Sequence, residues 1–279
     1  MDTIDDRPQF AILAPHGASA PLPAISIRSH MAQYVRLLGE MQRLRGRVAL
    51  REGAITASMM DSSGRYVMDG DLKSWHLLRL HNDGQVVGCA RLLVHPCDVK
   101  FHRLRIAASS LAQSTTWKSH VQAAVEGELK RARRNGQTLI EPGGWVVDEC
   151  VRGTCEAVYL AIAAFAWAQI LGDCIGFLTA TEKHGSSTIL RRLGGRSLES
   201  EGQTIPRYFE PKWGCNAELL RFDTNSLDSR FAGALEAARS RLRSSPTYCA
   251  VPDRAPENVR LPLSPALQNG LWPSLACLS

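Results

Sequence analysis

Two hydrophobic periods alternate through the middle of this chain. Trp145 to Val147 is a short apolar run of the kind a buried strand makes. A small-residue turn follows at Arg152 to Ala157, and Val158 to Leu171 presents an almost unbroken apolar face at helical spacing. Ile175 to Thr181 reads as a second strand. Ser186 to Leu193 reads as a second helix, closed by Gly194 and Gly195. The order strand, tight turn, helix, strand, helix predicts a crossover unit with a helix N-terminus exposed beside a strand end. Main-chain N–H groups at such an end lack intrahelical partners and carry partial positive charge, so they attract phosphate.

Upstream, Met31, Tyr34, Leu37, Leu38, Met41, Leu44 and Val48 recur at helical spacing from Ser29 to about Leu50, with Ser29 as candidate N-cap. His76 to Leu80 and Val86 to Leu93 alternate as strands around Asn82-Asp83-Gly84, a hairpin signal. The stretch 96–114 predicts no single element. Thr116 to Arg134 is an amphipathic helix pattern ending at Asn135-Gly136, and its terminal arginines suit the negative end of the helix dipole. Asn216 to Phe222 alternates as a strand, and a helix capped by Ser226 or Asp228 runs to about Arg243. The expected organisation is a flexible arm over 1–28, one domain over 29–245 and a Pro-rich, poorly ordered tail over 246–279.

Composition narrows the class. The chain has 279 residues, 44% apolar and 22% charged, enough for a sizeable core. A net charge of +6 favours acidic partners such as phosphorylated cofactors or acidic carrier proteins. Eight cysteines form no C-x-x-C pair and no metal-ligand spacing, which predicts a reduced, cytoplasmic protein without a bound metal. The longest apolar run, Val158 to Ile170, is too short to span a bilayer, and the acidic N-terminus lacks a signal-peptide pattern. Tryptophans and tyrosines are scattered rather than arrayed for base stacking, so no nucleic-acid partner is expected.

The run W-V-V-D-E-C-V-R-G-T-C-E-A ahead of an apolar helix resembles the GNAT superfamily of N-acyltransferases. That resemblance implies an α/β (α+β) fold, a central mixed, twisted sheet flanked by helices. The superfamily's acyl-donor motif is Arg or Gln, two residues, Gly, one residue, then Gly or Ala. Arg152, Gly153, Thr154, Cys155, Glu156 and Ala157 fill it, with Cys155 where glycine is usual. A closer resemblance, over roughly residues 30–245, is to the autoinducer-synthase-like branch: acyl-homoserine-lactone synthases and long-chain N-acyl amino acid synthases. It rests on R-G-R-V at 45–48, M-D-G-D at 68–71, W-H-L-L-R-L at 75–80, G-Q-V-V-G-C-A-R-L-L at 84–93, E-P-G-G-W-V-V, T-A-T-E-K-H-G-S-S-T-I-L-R-R-L-G-G and Y-F-E-P-K-W-G-C-N-A-E-L-L-R-F-D. Lactone synthases carry Glu, two residues, then Arg before the central strand, and an acidic pair spaced D-x-x-D. Here Gly144 stands at the Arg position and the pair is Asp69 and Asp71.

The resemblance implies transfer of a long fatty-acyl chain from acyl carrier protein, or from acyl-CoA, to a small-molecule amine, with no permanently bound cofactor. Glu141 is the expected base. Asp71 and Arg91, with Asp69, form a second constellation, expected as an ion pair ordering the N-terminal segment. The donor's pantetheine is expected along Trp145–Glu149, Val147 and Asp148 among them, with an N–H from the 148–150 segment, which includes Cys150, polarising the carbonyl, and the phosphate at the amides of Gly153 to Ala157, in the turn that Arg152 opens. Trp145, His184 and Ser186 are expected at the acceptor pocket. Cys155 is bulkier than glycine and tilts the donor towards the single phosphate of a carrier protein. The competing expectations are an acetyl-CoA-dependent acetyltransferase and an acyl-ligand binder without turnover.

Overall fold

The structure is a computed structural model that describes residues 9–18 and 25–250. In chain order the elements are β1 (Gln9–Leu13), β2 (Ile27–Ser29), α1 (Met31–Arg51), β3 (Ser74–Leu80), β4 (Val86–His95), α2 (Ser110–Gln113), α3 (Lys118–Arg134), β5 (Thr138–Val147) and α4 (Glu156–Leu171). There follow β6 (Cys174–Thr181), α5 (Ser186–Arg192), β7 (Arg196–Ser197), β8 (Glu199–Ser200), β9 (Gln203–Thr204), β10 (Tyr208–Glu210), β11 (Cys215–Asp223), α6 (Ala232–Ser244) and β12 (Thr247–Cys249). One large sheet runs β10-β11-β6-β5-β4-β3-β1-β12-β2, with β7 against β11. β5–β6, β1–β12 and β12–β2 are parallel, and the remaining neighbours in the sheet are antiparallel.

Helices cover both faces. One face packs α4 and α6 over Trp75, Leu77, Leu92 and Ile140. The other packs α1 over Leu78 and Cys89, and α3 over Leu139, Ile175 and Phe177. α4 is apolar on nearly every side because the sheet lies beneath it and α6 above it. Trp167 at its centre is fully buried and meets Trp75 edge-on, with ring centroids 5.3 Å apart.

The N-terminal arm expected over 1–28 contains a central strand. β1 pairs with β3 along its whole length, and Ala11, Ile12 and Leu13 are fully buried. Its run Phe10-Ala11-Ile12-Leu13 is apolar on both faces, so it lacks the alternation that marks a half-buried strand. The tail expected from residue 246 begins with β12, and residues 251–279 lie outside those described. The cap of α1 is His30, whose Nδ1 accepts from the Gln33 amide at 3.2 Å, in place of Ser29. β5 is longer than the Trp145–Val147 run because it continues back through Gly144, Gly143 and Pro142, residues that punctuate most strands.

Ile12 has no exposed surface and packs with Leu77 and the helices above. Ile12→Ala is expected to lower the unfolding free energy by about 2–4 kcal/mol, read from urea denaturation. A loss near zero would mean that β1 contributes nothing to the core.

Candidate active site

The site follows from how β5 and β6 part. They pair over Thr138–Cys174, Leu139–Ile175 and Ile140–Gly176 and no further. At the last pair a Cβ on Gly176 would lie 3.1 Å from Ile140 Cγ1 and 3.2 Å from Pro142 Cδ, so a larger residue would need its neighbours to give by a few tenths of an ångström. Pro142 then brings no N–H to the ladder. Further along, β5 bulges against β4: Cys89 pairs with Val146 and Arg91 with Gly143, leaving Gly144 and Trp145 opposite Ala90. Gly144 takes φ +58°, a conformation that favours glycine and accounts for it at that position.

The diverging strands enclose a slot of about 500 Å³. Its floor is Leu92, Ile140, Pro142 and Leu178. Ala161, Ala164 and Ala168 of α4 leave room above them. The mouth is polar: Glu52 from the end of α1, Arg152 and Gly153 from the turn after β5, and Lys183, His184 and Ser186 after β6.

Glu52 ties the mouth together. One carboxylate oxygen accepts from Arg152 Nη2 at 2.9 Å and the other lies 2.9 Å from His184 Nε2, while Lys183 Nζ donates to the Glu52 carbonyl at 3.1 Å. The His184 hydrogen bond, helped by Arg152, holds the Glu52 carboxyl down at about 2 against a smaller upward push from burial. His184 sits at φ 56°, ψ 21°, a left-handed backbone rare for a residue with a Cβ. The Ser186 hydroxyl donates to the Lys183 carbonyl and closes the same turn.

Of the residues expected at the site, Arg91, Trp145, Val147, Arg152, Gly153, His184 and Ser186 line the slot. Trp145 Nε1 donates to the Ala157 carbonyl at 3.1 Å and so fixes β5 against the start of α4. Thr154 Oγ1 accepts from the Glu156 amide at 3.2 Å and donates to the Val151 carbonyl, a cap on the first turn. Glu156 is engaged by Arg79 at 2.8 Å. Cys155 is exposed at the N-cap of α4. The amides of Gly153 to Cys155 precede that helix and have no partner within it.

Two expectations change. Glu141 is buried and does not line the slot: its oxygens lie 2.7 Å from His95 Nε2 and 2.6 Å from the Arg105 amide. Its position on β5 faces the α1 and α3 side, together with Leu139. Of the amides in the 148–150 segment, Cys150 N donates to Asp148 Oδ1 and Asp148 N donates to the Val87 carbonyl. Asp71 pairs with Arg45, not Arg91, while Asp69 is exposed. Arg45 was legible as a charged residue on the apolar stripe of α1. Glu52 and Lys183 carried no local signal.

The Arg45–Asp71 pair is fully enclosed. Arg45 Nη1 and Nη2 donate to the two Asp71 oxygens at 2.9 and 2.6 Å, and Gln42 Nε2 and the Met68 amide add bonds at 3.0 and 3.1 Å. His76 Nε2 donates to the Asp71 carbonyl at 2.7 Å; burial pushes its pKa down to about 4 and keeps the ring neutral at pH 7. Burial alone pushes the Asp71 carboxyl up, but Arg45, His76 and the Met68 amide together hold it below the usual carboxylate range. Among the described residues no cluster of three His, Cys, Asp or Glu is placed to hold a metal, and no helix is long and apolar enough to cross a membrane.

No protein-family model matches the sequence, and no curated protein matches it. Solved structures do share the architecture. The CoA-dependent acyl-homoserine lactone synthase BjaI, solved with SAM and isopentyl-CoA, aligns over 89% of this chain and 96% of its own, at 13% identity and a TM-score of 0.50. The acyl-homoserine lactone synthase LasI aligns over 73% of this chain and 89% of its own at 18% identity, with a TM-score of 0.45. FeeM, an N-acyl amino acid synthase from uncultured soil microbes, aligns over 78% and 93% at 13% identity, with a TM-score of 0.43. The fold is therefore that of the acyl-homoserine lactone synthase BjaI.

Asp71→Asn is expected to destabilise the protein by about 3–5 kcal/mol near neutral pH, because it leaves Arg45 buried and uncompensated. The folded carboxyl titrates below the unfolded value of about 3.9, so its contribution is complete above that pH and fades as pH falls below it. The gap between wild type and variant in chemical denaturation should narrow through the same acid range. A gap that is flat with pH would contradict this role for the carboxylate.

Proposed function

We propose that the chain is an N-acyltransferase. It moves a fatty-acyl group from a phosphopantetheine thioester, carried on an acyl carrier protein or on CoA, to the amine of an amino acid or a related small molecule. The slot is the observation that carries this reading. It is apolar along the floor, cationic at the mouth, and flanked by two strand edges that do not pair with each other beyond Ile140 and Gly176. Each part matches one part of such a donor. The acyl chain suits the apolar floor. The amide groups of pantetheine complement unpaired main-chain edges. A phosphate suits Arg152, Lys183 and the amides at the start of α4. BjaI, which shares this fold, was solved with SAM and isopentyl-CoA.

Aminolysis then balances as follows. The ammonium gives one proton to water at the open mouth. The neutral nitrogen attacks the thioester carbon, a C–N bond forms and the C–S bond breaks. The remaining surplus proton on nitrogen ends on the departing thiolate. The slot contributes by holding the two reactants in register. Arg152 and Lys183 at the mouth suit either the phosphates of CoA or an acidic carrier, while Arg152 pairs with Glu52, and Arg47 and Arg51 near it pair with Asp148 and Glu149.

Incubation with acyl carrier protein or CoA loaded with chains of several lengths, plus pooled amines, should release free thiol and an N-acyl product visible by mass spectrometry. Absence of thiol release from every donor and amine would sink the proposal. Ala164→Phe, which fills the slot from α4, is expected to lower the rate with long-chain donors by about 100-fold, while circular dichroism reports an intact fold.

A further inference from the structure

Arg91 is buried to 2% exposure at the centre of the sheet and lines the slot. Its Nε and Nη1 donate to nothing among the described residues. A guanidinium enclosed without acceptors is costly, and native interiors seldom keep one unless something binds there. The nearby carboxylates are committed elsewhere: Asp71 to Arg45, Gln42 and the Met68 amide, Glu141 to His95 and the Arg105 amide. Burial lowers the Arg91 pKa to about 10, with the charge of Arg105 acting in the same direction, and the side chain is still a cation at neutral pH.

The backbone above Arg91 keeps its surroundings open. Gly143 stands opposite it in the ladder, and a Cβ there would meet Arg91 Nη2 at 3.6 Å. A Cβ on Gly144 would meet Arg91 Cβ at 3.6 Å. Gly143 thus sets no side chain against the guanidinium on its β5 side, where the bulge opens β5 towards the slot. Each hydrogen-bonding edge of a guanidinium contains either Nε or Nη1, so on Arg91 both edges offer an unpaired N–H.

We propose that Arg91 receives the carboxylate of the acceptor, so that the amine substrate of this site is an amino acid rather than a carboxylate-free amine. This rests on the acyltransferase reading. A neutral carbonyl would satisfy one N–H and leave the charge uncompensated. A carboxylate meets two N–H groups along the planar fork and neutralises the cation. The residue then acts in specificity: it anchors one end of the acceptor inside the slot where the acyl donor lies.

The test compares amino acids with their carboxamides as acceptors in the thiol-release assay. In the wild type the ratio of kcat/KM values should favour the amino acid. In Arg91→Gln that ratio should fall by about 10- to 100-fold, the effect of losing a hydrogen bond to a charged group. Arg91→Lys should restore part of it, since it returns the charge without the fork. Damage to the fold lowers both members of the ratio and leaves it in place, so it does not imitate the expected result. A wild-type ratio near one, or a ratio unchanged in Arg91→Gln, overturns the proposal. If no donor and acceptor turn over at all, the acyltransferase reading fails. Saturation-transfer NMR with the same amino acids and carboxamides then decides Arg91: binding selective for amino acids and lost in Arg91→Gln supports it, and its absence overturns it.

Discussion

The parting of β5 and β6 is the constraint on which the site depends. Two parallel strands that stay in register satisfy each other's backbone, and a sheet gains by continuing the ladder. Here the ladder stops after three residue pairs. Pro142 has no N–H to give, and the bulge at Gly144 and Trp145 turns β5 away. The consequence is a gap in the middle of a sheet rather than a cleft at its edge. Such a gap has a rigid floor, because the strands are still fastened together at Ile140 and Gly176.

The rest of the structure keeps that gap from closing or collapsing. α4 is buried on nearly all sides, so it cannot settle into the slot, and its alanines set the height of the roof. α1 is fastened by the Arg45–Asp71 pair, in which both carboxylate oxygens accept from Arg45 and the Met68 amide adds a further bond. That fastening fixes where the end of α1 falls. Glu52 therefore reaches both Arg152, on the arm that follows β5, and His184, on the arm that follows β6. A buried ion pair far from the mouth thus sets the position of the charges at the mouth.

Much of this was legible in the sequence, and the exceptions share a cause. The unit from β5 through α5 was readable because each element shows one clean period. The slot residues Trp145, Val147, Arg152, Gly153, His184 and Ser186 came with it. β1 was not readable, since Phe10 to Leu13 is buried on both faces and sits among prolines and alanines that suggest a loose segment. Glu141 was expected at the slot because it stands at the start of the central strand. Side-chain direction alternates along β5, and a two-for-one bulge breaks the count, so proximity in sequence to Trp145 does not give the same face. Glu52 and Lys183 join the site only through contacts that span a hundred residues or more. No local pattern encodes such a meeting.

β12 has a consequence for how the chain reaches this state. It lies between β1 and β2, parallel to both, although it is made of residues 247–249 and they of residues 9–13 and 27–29. During synthesis from the N-terminus, β1 can find β3 early. The place beside it must wait until nearly the whole described chain has emerged. Until then β1 has one bare edge and β2 has no neighbour in the sheet. A strand that arrives last and inserts between two that arrived first closes a very long loop, the kind of contact that slows folding. The nascent protein therefore spends its growth with an open edge next to its most buried strand, the circumstance in which strands pair with the wrong partner.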